Sequence, residues 1–405
     1  MTTAISLARR RAIFVAAALG YLLSQFYRSF LTVIADQLMQ DLGMGPKEFG
    51  ALGSAWFFAF ALSQFPVGMA LDRFGPRRTM PFMMIAAVVG ALIFASAKTH
   101  GVGIVGMALV GVGCAPLLMG TLYFFAKTEP PARFAALAGV FLACGLIGSL
   151  VAATPLAILV ETVGWRDAIR IVAAVTAVVA MLLLLVFRDP PRESAPPGGS
   201  LIGDIVALAR LPAMWPILVM SLAITGPIFT ERSLWVGPYF GEVHGLDFLA
   251  RGNAVLGLAV TMTISAIATG PIASRIDNPR LVVLVSTALS GLSFVALAYV
   301  PSGSLVLAIV LMGCAGLFGL SYAVLIAHGR MFMPSHVIGR GITFINFVSI
   351  GGTGVAQILS GRAVGAMKEA GLGPAALYGN LHLAFGIALL VCVSIYWFAP
   401  ARPKG

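Results

Sequence analysis

Arg188-Asp189-Pro190-Pro191-Arg192-Glu193-Ser194-Ala195-Pro196-Pro197-Gly198-Gly199-Ser200 is the only long polar stretch in the middle of this chain. Paired prolines remove backbone donors and paired glycines forfeit helical order, so no continuous helix crosses it. Outward from it on both sides run long apolar segments. They fall at about 12–37, 49–71, 79–98, 102–126, 134–160 and 165–187 before it, and 213–240, 250–274, 281–300, 303–328, 341–367 and 376–399 after it. The polar stretch therefore divides six segments from six. The expected units are 1–187, a linker over 188–211, and 212–405. Within the linker, an amphipathic piece from Ile205 to Leu211 is expected to lie along the inner membrane surface.

The chain has 405 residues, 59% hydrophobic and only 10% charged. A soluble domain needs roughly 25% charged residues to cover its surface, so here the bilayer must be the solvent. Each segment is long enough for the ~20 residues that a crossing requires. Such continuous runs are helices, not the alternating strands of a membrane barrel. The fold class expected is an all-α membrane protein, with twelve transmembrane helices in two six-helix bundles.

A net charge of +11 invites a nucleic-acid reading, but its distribution argues against one. Most of the 26 Lys and Arg flank one side, among them Arg9, Arg10, Arg11, Arg73, Arg77, Arg78, Lys127, Arg133, Arg210, Arg275, Arg280, Arg330 and Arg340. That is the positive-inside bias, and it puts both termini in the cytoplasm of a bacterial-type inner membrane. Arg10-Arg11 before an apolar run resembles an export signal, but the run is too long for one and reads as the first span. Cys114, Cys144, Cys314 and Cys392 all lie within spans, as packing residues and not as a disulfide framework or metal cluster. No metal or cofactor is expected.

The two halves repeat each other. Tyr27-Arg28-Ser29-Phe30-Leu31 answers to Glu231-Arg232-Ser233-Leu234-Trp235, with the arginines 204 residues apart. Gly68-Met69-Ala70-Leu71-Asp72-Arg73 finds an echo 202 residues on in Gly270-Pro271-Ile272-Ala273-Ser274-Arg275. Gly113-Cys114-Ala115-Pro116 finds one 200 residues on in Gly313-Cys314-Ala315-Gly316. Three matches nearly in register point to a duplicated six-helix unit. Repeats of this kind place a substrate site near the bilayer midplane.

Between the second and third spans stands Gly68-Met69-Ala70-Leu71-Asp72-Arg73-Phe74-Gly75-Pro76-Arg77-Arg78. Gly68 allows close helix approach, and Gly75 permits a turn with positive φ. Asp72 can accept hydrogen bonds from the N-terminus of another helix. The stretch resembles the inner-loop signature of the major facilitator superfamily, with every fixed position matched. That resemblance implies a secondary transporter, monomeric, working by alternating access. It also implies that Asp72 faces the start of span eleven near Arg340, with Lys127 a second partner. In the second-half copy, Ser274 replaces the acid, so the latch is expected to be lopsided.

Arg28 lies about 16 residues into span one, past mid-membrane at ~1.5 Å per residue. Arg232 is similarly deep in span seven. A guanidinium in hydrocarbon is costly, and its planar fork of donors suits carboxylate or phosphate. The pair resembles the organophosphate:phosphate antiporter branch, where arginines on spans one and seven clasp the anion. This implies Arg28 and Arg232 as binding residues. The structural alternative pairs Arg232 with Glu231, or Arg28 with Asp36. Tyr27, Gln25, Tyr123, Tyr322, Asn346 and Gln357 can complete a polar pocket, or can bond helix to helix.

Glu231 is the first candidate for proton coupling, since a carboxylate in a dry cavity readily carries a proton. Its alternative is to keep an arginine satisfied. His328 can relay protons or serve a gate near the inner surface. With Met331 and Met333 it could also form a soft-metal entry point. Gly226-Pro227 marks a hinge in span seven. The function expected is transport of a small anion, proton-coupled or in exchange. The alternatives are a drug or metal exporter and a non-transporting receptor or scaffold. Span cores two and eight carry no arginine, which disfavours nitrate.

Overall fold

The structure is a computed structural model. It describes residues 7–402 except 188, 190–202, 204–206, 209, 301 and 335–337, with backbone alone at 131, 132, 135, 136 and 339. Most of the linker, including Arg188, Arg192 and part of the amphipathic piece over 205–211, lies outside the described residues. All regular structure among the described residues is helical. Ten of these helices are long and apolar enough to cross a membrane. Leu7–Tyr27 with its continuation Ala35–Leu42, and Pro131–Val151, complete the twelve spans.

The chain separates into two compact units. The first holds Met1–Gly43 and Ala55–Pro196, the second Met44–Ser54 and Pro197–Gly405. This departs from the boundaries read in sequence, because the opening turns of span two (Pro46–Phe74) group with the second unit. There Gly50 and Gly53 have no side chain to hold off span eleven (Ile338–Glu369). A Cβ on Gly50 would lie 2.5 Å from the Gln357 carbonyl oxygen and 2.9 Å from the Gly361 Cα.

In the first unit the core gathers Ile13, Met84, Phe125, Phe141 and Leu183. Tyr21 stacks on Phe141 with ring centroids 5.1 Å apart. In the second unit it gathers Met214, Ile217, Val283, Leu325 and Ile345. Exposed apolar side chains such as Leu62, Phe82, Val178 and Val306 face outward, as the bilayer requires.

The duplication seen in sequence recurs in the packing. Gly148 of span five presses against the Leu22 carbonyl of span one, and Gly352 of span eleven presses against the Leu222 carbonyl of span seven. A Cβ at either glycine would collide with that backbone oxygen. Gly148 and Gly352 are 204 residues apart, the spacing of the two arginines, while Leu22 and Leu222 are 200 apart.

Five runs read as single helices are interrupted, span four at Ala115 and span ten between Phe318 and Tyr322 among them. Span one stops at Tyr27 and resumes, after a short 3-10 turn Phe30–Thr32, at Ala35. Span five continues beyond Val151 as 154–163, and Gly164 (φ 79°) turns the chain into span six. Span seven is Met214–Ile224, Gly226–Thr230, the π-helical Glu231–Trp235 and Val236–His244. The helix is broken at Thr225, immediately before Gly226-Pro227.

Candidate functional site

The inner loop of the first unit is built as a capped turn. Gly75 adopts φ 77° and ψ 167° immediately before span three (Pro76–Ser96), a conformation that favours glycine. Thr79 Oγ1 donates to the Ala70 carbonyl at 3.1 Å, closing the turn. The acid that caps span three is Asp189, whose Oδ1 accepts from the Arg77 backbone N–H at 2.9 Å. Asp72, Arg77 and Arg78 are exposed, and Arg73 lies over the Phe74 ring at 5.2 Å. Gly68 does not provide the expected close approach: no atom of its own unit lies within 4 Å of a Cβ built there.

At the end of span one the Ser29 hydroxyl donates to the Gln25 carbonyl, one turn back, at 2.7 Å. The same bond is made by Ser63, Thr176 and Ser221 within continuous helices, so it accompanies the break without being its sole cause. Arg28 sits at the break, half-buried. Its guanidinium carbon lies 4.9 Å from the Trp56 ring centroid and 5.3 Å from that of Phe60. Rings face the cation, and each such contact is worth about 0.5–2 kcal/mol. Gln25 is buried one turn before Arg28's neighbour Ser29 and donates to the Tyr21 hydroxyl at 3.1 Å.

Span seven repeats the device. The Ser233 hydroxyl donates to the Phe229 carbonyl, again one turn back, at 2.6 Å. Ser29 and Ser233 are 204 residues apart, as are the arginines that precede them. Here the helix is interrupted by a π-helical turn carrying Glu231, Arg232 and Ser233. Isolated π-turns of this sort accompany functional sites. Arg232 is 3% exposed, with its guanidinium carbon 4.9 Å from the Phe229 centroid.

A polar stripe on span eleven holds the interrupted helix. Ser349, Thr353, Gln357 and Ser360 recur at helical spacing, and all are buried. Thr225, at the break, shares hydrogen bonds with Ser349 Oγ (2.8 Å) and Thr353 Oγ1 (3.1 Å). Gln357 Nε2 donates to Ser233 Oγ at 2.7 Å, and Trp235 Nε1 donates to Ser360 Oγ at 2.9 Å. In a membrane each interhelical hydrogen bond contributes about 0.6 kcal/mol. Four of them still fix register, because a misplaced donor would face hydrocarbon.

Sequence reasoning missed the partner of Glu231. His382, on span twelve (Pro374–Tyr396), places Nε2 3.4 Å from Glu231 Oε1, and both side chains are fully buried. A lone histidine in an apolar run carried no signal of this.

The remaining predicted residues separate into two kinds. Tyr322 donates to Asn346 Oδ1 at 2.6 Å, joining spans ten and eleven, with both half-buried. Tyr123 is half-buried on span four. Tyr27, in contrast, turns to span six and shares a hydrogen bond with Thr176 at 3.0 Å. His328 is wholly buried, and both ring nitrogens are engaged, Nδ1 with the Tyr396 hydroxyl (2.6 Å) and Nε2 with the Pro400 carbonyl (3.0 Å). Those bonds anchor the end of span twelve to span ten. Arg340 heads span eleven. Among the described residues, no group of three His, Cys, Asp or Glu could hold a metal.

Two repeated six-span units, each with an arginine at a break in its first helix, define a secondary-transporter architecture. The chain belongs to the Major Facilitator Superfamily, whose sequence profile matches residues 17–357. Over 275 residues it is 27% identical to a probable nitrate/nitrite transporter of Mycobacterium tuberculosis, covering 66% of this chain and 67% of that one. It is 22% identical over 282 residues to a probable sulfoacetate transporter of Cupriavidus necator, covering 65% of each. With a probable hexose phosphate transport protein of Chlamydia trachomatis it shares 23% over 188 residues, 45% of this chain and 40% of that one. In fold it is similar to a bacterial homologue of the human lysosomal transporter Spinster, solved inward-facing and occupied. That match has a TM-score of 0.78 at 17% identity and covers 97% of both chains.

Proposed function

We propose that this protein moves a small anion, such as an organic carboxylate or phosphate ester, by alternating access. The cycle is proton-coupled or exchanges one anion for another. The observation that carries this reading is the repeated Arg-Ser break: Arg28-Ser29 in span one and Arg232-Ser233 in span seven, each serine bonded one turn back. A break in a transmembrane helix leaves backbone polar groups and a side chain at the level where substrates bind. A guanidinium there supplies permanent charge and a planar fork for an anion. Gln25, Tyr123, Tyr322, Asn346 and Gln357 supply further hydrogen-bonding groups. Asp72 and Arg340 serve the inner latch.

The relatives named above act on nitrate or nitrite, sulfoacetate and hexose phosphate, all anions. Nitrate is one arm of the test and not its premise, since spans two and eight carry Arg73, Arg251 and Arg275 only in their end turns.

The test is thermal unfolding of the purified protein with nitrate, sulfoacetate, glucose 6-phosphate, tetraphenylphosphonium and Zn²⁺. A ligand at about a hundred times its Kd stabilises by about 2.7 kcal/mol. The expected result is a shift with at least one anion that disappears in Arg28→Ala and in Arg232→Ala. A shift with the lipophilic cation or the metal alone, surviving both substitutions, sinks the anion reading in favour of a drug or metal carrier.

A further inference from the structure

We propose that Glu231, His382, Tyr239 and His244 form a proton file in the second unit, and that one proton on the buried Glu231–His382 pair makes the protein an anion–proton symporter. The proposal rests on the reading of Arg232 as an anion-holding group.

The pair itself is unusual. A carboxylate and an imidazole stand 3.4 Å apart at Nε2–Oε1, both wholly inaccessible. Neither oxygen of Glu231 and neither nitrogen of His382 has a well-aligned hydrogen bond to the described residues. An ionised carboxylate stripped of water is costly, by several kcal/mol even after relaxation. A proton shared across this contact relieves that cost.

The charge count then sets the direction of coupling. As carboxylate and neutral imidazole the pair carries −1, and Arg232, the next residue on the buried π-turn, carries +1. One proton bound, as an O–H on Glu231 or an N–H on His382, makes the pair neutral and leaves +1. A monovalent anion restores the balance. At low dielectric that balance is enforced strongly, so proton and anion are favoured together and disfavoured apart. The arithmetic selects symport over antiport.

A route to the pair is present. Tyr239 packs edge-on against His382, with ring centroids 4.7 Å apart and planes at 84°. Its hydroxyl lies 3.1 Å from His244 Nε2. His244 is the last residue of span seven, half-exposed at the end remote from the linker. A phenolic hydroxyl both donates and accepts, and an imidazole takes a proton at one nitrogen while releasing one at the other. The hydrogen-bonded part of the file runs from His244 to Tyr239, and the ring contact of Tyr239 with His382 leaves one side-chain reorientation to complete it. Other ionisable groups on the surrounding elements include Arg232 on the π-turn, Glu242 on the same segment as His244, Tyr378 one turn before His382, Arg251 at the head of span eight, and Arg362 on span eleven. Tyr378 stands 5.7 Å from Tyr239, ring to ring, and Arg251 donates to the Leu246 carbonyl at 2.9 Å. Span nine presents Phe294, 6.1 Å from His382, and span eleven presents Gln357, neither of which titrates.

The full-length protein is reconstituted in vesicles with a lumenal pH dye, and nitrate, sulfoacetate and glucose 6-phosphate are each offered. Wild type should acidify the lumen as the anion enters, and should accumulate a monovalent anion about tenfold per unit of imposed pH gradient. Its anion exchange should fall as pH rises. In Glu231→Gln the site is held in its neutral form, so exchange should become independent of pH and lumenal acidification should vanish. His382→Gln should flatten the same profile, and Tyr239→Phe should slow acidification while leaving its final extent. Wild-type profiles in Glu231→Gln and His382→Gln would overturn the file. A wild type that exchanges none of the three anions and is stabilised by no anion would instead overturn the underlying reading. Infrared difference spectra between acid and alkaline pH test the pair with no substrate at all. A carboxyl C=O band that is lost in Glu231→Gln and displaced in His382→Gln is expected. The absence of any such band in wild type refutes the pair as a proton site, even where a substituted protein fails to fold.

Discussion

In the proposed reading Arg232 and Arg28 hold the anion, and lysine is the sharpest substitution for testing them. Lysine keeps the charge and loses the fork. A hydrogen bond to a charged group contributes about 1.5–3 kcal/mol, so Arg232→Lys should weaken anion binding roughly tenfold to a hundredfold. Titration by thermal shift measures it, and affinity equal to wild type would show that the fork is not used. Both arginines were legible in the sequence, because a guanidinium in an apolar run is visible without any partner. Ser29 and Ser233 were legible only as neighbours of the arginines. Their back-bonds at 2.7 and 2.6 Å needed coordinates. His382 was hidden, since its partner Glu231 lies 151 residues away and nothing around it in the chain is polar enough to mark it. His328 drew attention through its own chemistry, and only the structure shows Tyr396 and Pro400 occupying its ring.

At the level of elements, the helix breaks and the glycine contacts carry the consequences. Gly148→Ala and Gly352→Ala each drive a methyl into a backbone carbonyl of the neighbouring span. Overpacking of this kind costs about 1–3 kcal/mol, and thermal unfolding in detergent reads it. An unchanged melting temperature would show that spans one and five, or seven and eleven, can separate freely. Asp189→Ala removes the acceptor for the Arg77 N–H and should cost about 1 kcal/mol, the usual worth of an N-cap. The sequence reading gave Asp72 to the start of another helix, span eleven near Arg340, and named no acceptor for the start of span three. Asp189 was overlooked because it belongs to a polar linker with no periodicity to place it. Twelve helices were readable from length and apolarity alone. Their interruptions were not, because a local break changes hydropathy hardly at all.

For the whole molecule, orientation in the membrane is the property that the charge bias predicts. Lys98, Lys368, Arg77 and Arg330 are all exposed, and the charge bias predicts the first two outside and the last two inside. Cysteines at 98 and 368 should react with an impermeant maleimide in intact cells, and cysteines at 77 and 330 only after permeabilisation. The four native cysteines are buried or half-buried, which keeps the background low. Reversed labelling would invert the assigned topology and, with it, the side from which the proton file opens. The grouping of Met44–Ser54 with the second unit was invisible in sequence, since the polar linker was the only divider there. The stripe on span eleven has one more implication. Ser349, Thr353, Gln357 and Ser360 rise along one face by a turn at a time. A slide of ~5.4 Å one way, one helical pitch, would bring Thr225, Ser233 and Trp235 each opposite a neighbouring polar group of the stripe, while half that slide would part them all. The stripe is a notched rule, along which the two spans can come to rest at whole marks and nowhere in between.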